Sequence, residues 1–272
     1  MKYLSLLNND LNLFVLREYI SENGFNYKSV GKGRPILILH GLMGGLSNFD
    51  DVFNLFPSRG YNVIAPELPI YTSKLLNTNV KFFANFVNEF VKFKNLKDFI
   101  ILGNSLGGHV GLIYSKLYPN FIKGLVLTGS SGLYENSMGD TYPKRGDYEY
   151  IKKKSEEVFY DPKIATKELV DEVFESVNDR NKLIRTLAIA KSAIRHNMSK
   201  DLPSMKTPVG IIWGINDTVT PANVGEEFHK LLPNSDLYWI DKCGHAPMME
   251  HPNVFNETVV KWFSKRNLNT AS

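Results

Sequence analysis

Gly103-Asn104-Ser105-Leu106-Gly107 constrains this chain more than any other stretch. The apolar run Phe99-Ile100-Ile101-Leu102 precedes it, and Gly108-His109-Val110-Gly111-Leu112-Ile113-Tyr114 follows with the character of a helix. A strand, a turn too tight for a Cβ at either glycine, and a helix hold a single serine in a strained backbone, its hydroxyl out over a sheet. The bare Gly-x-Ser-x-Gly pattern arises by chance in chains rich in glycine and serine. The strand before it, the helix after it and the partners described below turn it into a nucleophile elbow.

The chain around the elbow alternates strands with helices. Leu11, Leu13, Val15 and Leu16 fit a strand or a short helix equally well. Residues 25–30 alternate apolar and polar, which suits an edge strand. Pro35-Ile36-Leu37-Ile38-Leu39 is continuously apolar, the habit of strands covered on both faces in a parallel sheet. It runs into His40-Gly41-Leu42-Met43-Gly44-Gly45, a loop able to turn backbone N–H groups toward the serine. A helix is expected from about 47 to 56, a strand at 61–65, and a helix at 80–93. In that helix Phe82, Phe83, Phe86, Val87, Phe90 and Val91 fall at helical spacing, as core packing requires. A further strand is expected at 121–127.

There the rhythm stops. Residues 133–204 hold no convincing buried strand and read as charged helices at 147–158, 166–177 and 181–196 after an entry with Pro143 and Gly146. The expected organisation is a core over 1–132, a helical cap over 133–204 and the second part of the core over 205–272. The cap aromatics Tyr134, Tyr142, Tyr148, Tyr150, Phe159, Tyr160 and Phe174 are expected to form an apolar pocket against the core. Strands at 208–213 and 236–240 and helices at 221–232 and 252–265 complete a mostly parallel α/β sheet covered on both faces.

A serine hydroxyl needs a base to take its proton, and the base needs an orienting group. Parallel strands all end at one sheet edge, so later strand ends are the places to look. Asp217 lies just past the strand 209–213, and His245 lies past the strand 236–240. The order Ser105, Asp217, His245 is the order expected on such a sheet. Asp241 only ends its strand, and no acid follows the strand 122–127, the other place a triad carboxylate could come from. His40 and His109 read as structural or packing residues. His196, His229 and His251 have no partner pattern and read as surface or local capping. Cys243 reads as a small buried side chain. No metal-ligand spacing occurs and no cofactor is called for.

Composition excludes several other classes. A net charge of +4 over 272 residues is small, and the one lysine run, Lys152-Lys153-Lys154, is followed at once by Ser155-Glu156-Glu157. That is a solvated helix face and not a nucleic-acid patch. One cysteine allows no intrachain disulfide. The apolar N-terminal stretch stops at Asn8-Asn9-Asp10, too short for a secretory signal, and no run is long enough to span a membrane. A cytoplasmic location is the default expectation, and the oligomeric state stays open.

Taken together, His40-Gly41, the 103–107 elbow, Trp213-Gly214-x-x-Asp217 and Gly244-His245 resemble the α/β-hydrolase superfamily over nearly the whole chain. Gly103-Asn104-Ser105-Leu106-Gly107-Gly108 and Cys243-Gly244-His245 are similar to the meta-cleavage-product hydrolases, which break C–C bonds in vinylogous diketones. The resemblance implies Ser105 as nucleophile, His245 as base, Asp217 as its orienter, and the N–H groups of Leu42 and Leu106 as oxyanion donors. Two departures matter. That family has Trp directly after the catalytic histidine, where this chain has Ala246-Pro247. It also carries a cap Arg that holds the substrate carboxylate, where this chain reads Glu168-Leu169-Val170-Asp171-Glu172-Val173-Phe174; Arg180, Arg185 and Arg195 are the substitutes on offer. The expected activity is therefore carboxylesterase action on small or medium apolar esters, with C–C cleavage of a ketone substrate as the alternative. Dehalogenases and epoxide hydrolases of this fold need a carboxylate at position 105. A small-molecule receptor that keeps the triad is the reading from a different class.

Overall fold

The computed structural model describes residues 19–136 and 144–269. The positions of Leu11, Leu13, Val15 and Leu16, and of Tyr142 and Pro143, lie outside them. Eight strands form one sheet: β1 (Ile20–Glu22), β2 (Phe25–Gly31), β3 (Arg34–Leu39), β4 (Tyr61–Pro66), β5 (Phe99–Asn104), β6 (Ile122–Thr128), β7 (Val209–Gly214) and β8 (Ser235–Ile240). The order is β1-β2-β4-β3-β5-β6-β7-β8. β2 runs antiparallel to both of its neighbours, and from β4 to β8 every pairing is parallel.

The continuous apolar runs have a direct structural reason. Successive side chains on a strand point to opposite faces. Leu37, Leu39, Ile101, Leu125, Leu127 and Ile211 feed one buried cluster. Ile36, Ile38, Ile100, Leu102, Val126 and Ile212 feed the other. On the first face lie α2 (Val80–Phe93), α3 (Leu106–Leu117) and α7 (Ala222–Leu231); on the second lie α1 (Asp50–Leu55), α8 (Pro247–Glu250) and α9 (Pro252–Lys265). α2 has the bounds its 3.6-residue apolar spacing predicts. Asn79 caps it by accepting from Phe82 N at 2.9 Å, and Phe83 and Phe90 are fully buried while Phe82 and Phe86 pack at the margin.

Residues 25–30 are not an edge strand. Asn23 and Gly24 both take positive φ, the backbone a two-residue hairpin needs, and fold β1 back along β2. Among the described residues, three α-helices lie between β6 and β7: α4 (Tyr148–Glu156), α5 (Lys167–Asn178) and α6 (Arg180–Arg195). Asp147, Thr166 and Asp179 cap them through their side chains. Ile189 and Ala193 of α6 join the same apolar cluster as the sheet face. No helix among the described residues is long and apolar enough to cross a membrane.

Candidate active site

The elbow glycines are required by space. A Cβ on Gly107 would stand 1.9 Å from Leu39 O on β3, and one on Gly103 would stand 2.6 Å from Gly107 O and Gly108 N. Ser105, between β5 and α3, sits at φ 52 and ψ −118. That conformation costs a non-glycine residue roughly 1–3 kcal/mol and persists only where surroundings enforce it. The enforcement is visible. Ser105 N donates to Thr128 O at 3.1 Å, and Ser105 O accepts from His109 N and Ser131 N, each at 3.2 Å.

Asp217 lies past β7 and His245 past β8, and the fold brings them together: His245 Nδ1 stands 2.9 Å from Asp217 Oδ2. A carboxylate only accepts when ionised, so Nδ1 carries the proton and Nε2 is left with its lone pair. His245 is fixed at its backbone too. Its N–H donates to Val158 O at 3.0 Å, and its carbonyl accepts from Asn104 Nδ2 at 3.2 Å. Burial works against a charged imidazole here. The charge and hydrogen bond of Asp217, with smaller help from Glu135 and Glu250, outweigh it and hold the His245 pKa above the usual histidine value.

Three further polar side chains act on Asp217 or His245. Thr220 Oγ1 donates to Asp217 Oδ2 at 2.9 Å and lies 3.3 Å from His245 Nδ1. The N–H groups of Val219 and Thr220 close on Asp217 Oδ1 at 2.8 and 2.9 Å. A hydroxyl three residues past the acid was the available hint. Asn104, inside the elbow, also donates to Thr128 O at 3.0 Å. The third is Glu135, and it corrects the expectation that no acid follows the strand at 122–127. It lies in the loop leaving β6, whose next residue, Asn136, is bonded to the acid loop through Val219 O at 2.8 Å and Thr218 O at 2.7 Å. Burial raises the Glu135 pKa, and attraction to His245 partly offsets this.

Ser105 and His245 open into one cavity of about 560 Å³. Leu42 lines it, from the loop after β3; a side chain on Gly41 would come within 3.4 Å of the Ser105 Cβ, so this loop lies against the serine. Leu106 is buried as the first residue of α3, where the N–H has no partner within its own helix. Apolar walls come from Leu42, Met43, Val158, Leu169, Val173 and Met249. Of the aromatics expected to line it, only Phe159 among the described residues does so. Tyr134 and Tyr160 are exposed, and Tyr148 packs its ring 5.3 Å from Phe174.

The charges of this wall are few. Lys154 Nζ sits 2.6 Å from Glu157 Oε2, so the cation is already paired. Arg185 donates to Ser73 O, Arg180 and Arg195 are exposed, and none of the three lines the cavity. Among the described residues no cluster of three or more metal-binding side chains forms.

The remaining histidines have assigned places. His40 Nδ1 stands 2.8 Å from Gly41 O and its Nε2 accepts from Leu68 N at 3.0 Å, a structural role. His229 meets Ser235 Oγ at 2.9 Å, and His251 meets Lys242 O at 2.8 Å, both local contacts. His196 differs from its expectation as a residue without a partner: its Nδ1 lies 3.1 Å from Nε2 of buried His109. Cys243 is buried, and burial drives its thiol pKa up, so it stays a thiol.

Comparison with known proteins bears on the fold and the reaction class. Residues 34–177 match the family described as the alpha/beta hydrolase fold. The chain is similar to the crystal structure of MGS-MChE2, an alpha/beta hydrolase enzyme from the metagenome of lagoon sediments at Mar Chica, Morocco. The two are 53% identical over 92% of this chain and 99% of that one, with a TM-score of 0.77. It is also similar to a 2-hydroxy-6-oxononadienedioate/2-hydroxy-6-oxononatrienedioate hydrolase of Pseudomonas sp, 25% identical over 86% of this chain and 90% of that protein. Lipase 1 of Psychrobacter immobilis is 25% identical over 80% of this chain and 73% of its own. The matched stretch runs from β3 through the elbow into α5, more than half of the sequence, and the chain belongs to the α/β-hydrolase family.

Proposed function

We propose that this protein is a serine hydrolase of carboxylesterase type, acting on small or medium uncharged esters through an acyl-enzyme. Ser105 Oγ attacks the ester carbonyl carbon while His245 Nε2 takes its proton. Asp217 holds the imidazole in the tautomer this needs and stabilises the imidazolium that forms. The N–H groups of Leu42 and Leu106 receive the charge that develops on the carbonyl oxygen. His245 returns the proton to the departing alkoxide. Water then repeats the sequence on the acyl-enzyme, releasing the acid and restoring Ser105.

The observation that carries the substrate class is the charge of the cavity wall. A dienone acid brings a carboxylate that must be paired when buried, and Arg is the natural clamp. Lys154, the wall's cation among the described residues, is engaged by Glu157, while Val173 and Leu169 occupy the α5 wall. Glu135 adds another carboxylate near His245. These features favour a neutral substrate. The C–C reading draws support from the Pseudomonas relative, whose own name specifies that chemistry. In this reading the helices α4–α6 act as a cap that shapes the substrate pocket.

The test is kcat/KM for a chain-length series of aryl esters beside one meta-cleavage dienone acid, on a single preparation. We expect the best ester to exceed the dienone acid by at least about a hundredfold, about 2.7 kcal/mol of transition-state binding. Equal or faster cleavage of the dienone acid reverses the ranking, and no turnover of either leaves the receptor reading.

A further inference from the structure

Glu250, at the end of α8, makes two sets of contacts that the reaction above does not use. Its Oε1 accepts from Gly244 N at 2.7 Å and lies 3.8 Å from Cys243 Sγ. Its Oε2 accepts from Tyr160 N at 2.7 Å and from Asp161 N at 3.4 Å. One oxygen therefore serves the loop that carries His245, and the other serves the segment that leaves α4.

That segment is bonded to the same loops elsewhere. Thr218 Oγ1 donates to Glu157 O at 2.8 Å, beside Asp217, and His245 N donates to Val158 O at 3.0 Å. The same segment supplies Glu157, Val158 and Phe159 to the cavity wall. The fit is tight: a Cβ on Gly244 would stand 2.5 Å from Val158 O and 3.0 Å from Glu250 Oε1. Four donors from two chain segments converge on one side chain. An ionised carboxylate meets that demand, with about four lone-pair positions and no hydrogen of its own.

We propose that Glu250 is a positioning residue that staples the cavity wall at 157–161 to the loop of His245, so that the wall facing the substrate and the base keep one register. The inference rests on the reading of His245 as the base. Moving the wall moves the imidazole, and a substrate that packs well against Val158 and Phe159 steadies it. Glu250 thereby links acyl-chain fit to the rate of proton transfer.

The test uses the full chain with Glu250→Gln. Glutamine keeps the size but turns one acceptor into an NH₂ that faces N–H donors. Active sites are counted first with a fluorophosphonate, using Ser105→Ala as the unlabelled control. Per labelled site, kcat for p-nitrophenyl butyrate is expected to fall by about tenfold or more. KM is expected to rise more for the butyrate than for the acetate. The acid limb of kcat/KM is expected to move to lower pH, because Asp217, Glu135 and Glu250 are the carboxylates whose charge reaches His245. A residue that only stabilises the fold would lower the number of labelled sites and the melting temperature while leaving kcat per site and the KM pattern unchanged; that outcome overturns the proposal. If Glu250→Gln does not fold, Glu250→Asp, which keeps the charge but is too short to reach both segments, carries the kcat-per-site and KM readouts, with the acid limb staying near that of wild type. A wild type that is neither labelled nor active on esters overturns the reading of the triad, and the staple's role falls with it.

Discussion

Two buried histidines meet the elbow, His109 through its N–H to Ser105 O and His245 through its carbonyl to Asn104, and their surroundings push them in opposite directions. His245 faces Asp217, with Glu135 and Glu250 behind it, and its pKa is raised despite burial. His109 is equally enclosed, but its neighbours are Ser131, at 3.4 Å, and another imidazole, His196. Burial lowers its pKa to about 3, and the repulsion of His196 adds to the effect. His109 is thus held neutral at any ordinary pH, and it serves the elbow through its backbone N–H to Ser105 O. Burial alone takes the proton off an imidazole, and one well-placed carboxylate reverses that. Under the proposed reaction the base is therefore His245, the histidine with the carboxylate, and not His109.

The largest expected effect comes from removing what the two histidines share. Ser105→Ala is expected to lower ester turnover on the order of 10⁴-fold or more with the fold intact. Activity within about tenfold of wild type would move the nucleophile elsewhere.

Next is the carboxylate that separates the pair. Asp217→Asn makes the surroundings of His245 more like those of His109 and is expected to cost on the order of 10³ to 10⁴ in kcat. Asp241, exposed at the end of β8, is the control. If Asp241→Asn proved the more damaging change, Asp217 would not be the orienter.

Thr220 sharpens the comparison at smaller scale. Thr220→Val removes the hydroxyl that donates to Asp217 while keeping the shape, and a hydrogen bond of about 1 kcal/mol corresponds to a loss of about fivefold in kcat. Thr220→Ser should retain most of the activity. Equal losses in the two variants would point to packing instead.

The smallest effect belongs to His109 and is read in stability. Its folded pKa lies below its unfolded value, so the unfolded chain binds the extra proton between pH 6.5 and about 3. Stability is fully present above that window and declines as pH falls through it. Denaturant midpoints at pH 7 and pH 4.5 should therefore separate further in wild type than in His109→Gln. The same separation in both would mean that His109 is not the group taking the proton.

What could be read from the sequence follows the range of the interactions. The bounds of α2 follow from phenylalanines and valines at helical spacing, a local pattern. Ser105, Asp217 and His245 lie at strand ends because parallel strands finish at one edge, a rule that needs only the order of elements. Thr220, Glu135 and Glu250 were not legible because each acts on a partner brought near by the folding of a loop. The cavity's walls are illegible for the same reason: Tyr134 and Tyr160 are exposed, while Leu169, Val173 and Met249 line the cavity. The pairing of His109 with His196 joins α3 to the end of α6 and leaves no mark in either segment. The Asn23-Gly24 turn, by contrast, is a local signal of the β1–β2 hairpin.

The central claim is that the Asp217 carboxylate makes His245 the base by raising its pKa. The pH dependence of kcat/KM for a neutral aryl ester measures this in the free enzyme. The account predicts an acid limb with its midpoint above 6.5, the ordinary histidine value, and a shift of that midpoint to lower pH in Asp217→Asn. A wild-type midpoint at or below 6.5, or one that Asp217→Asn leaves in place, would contradict it.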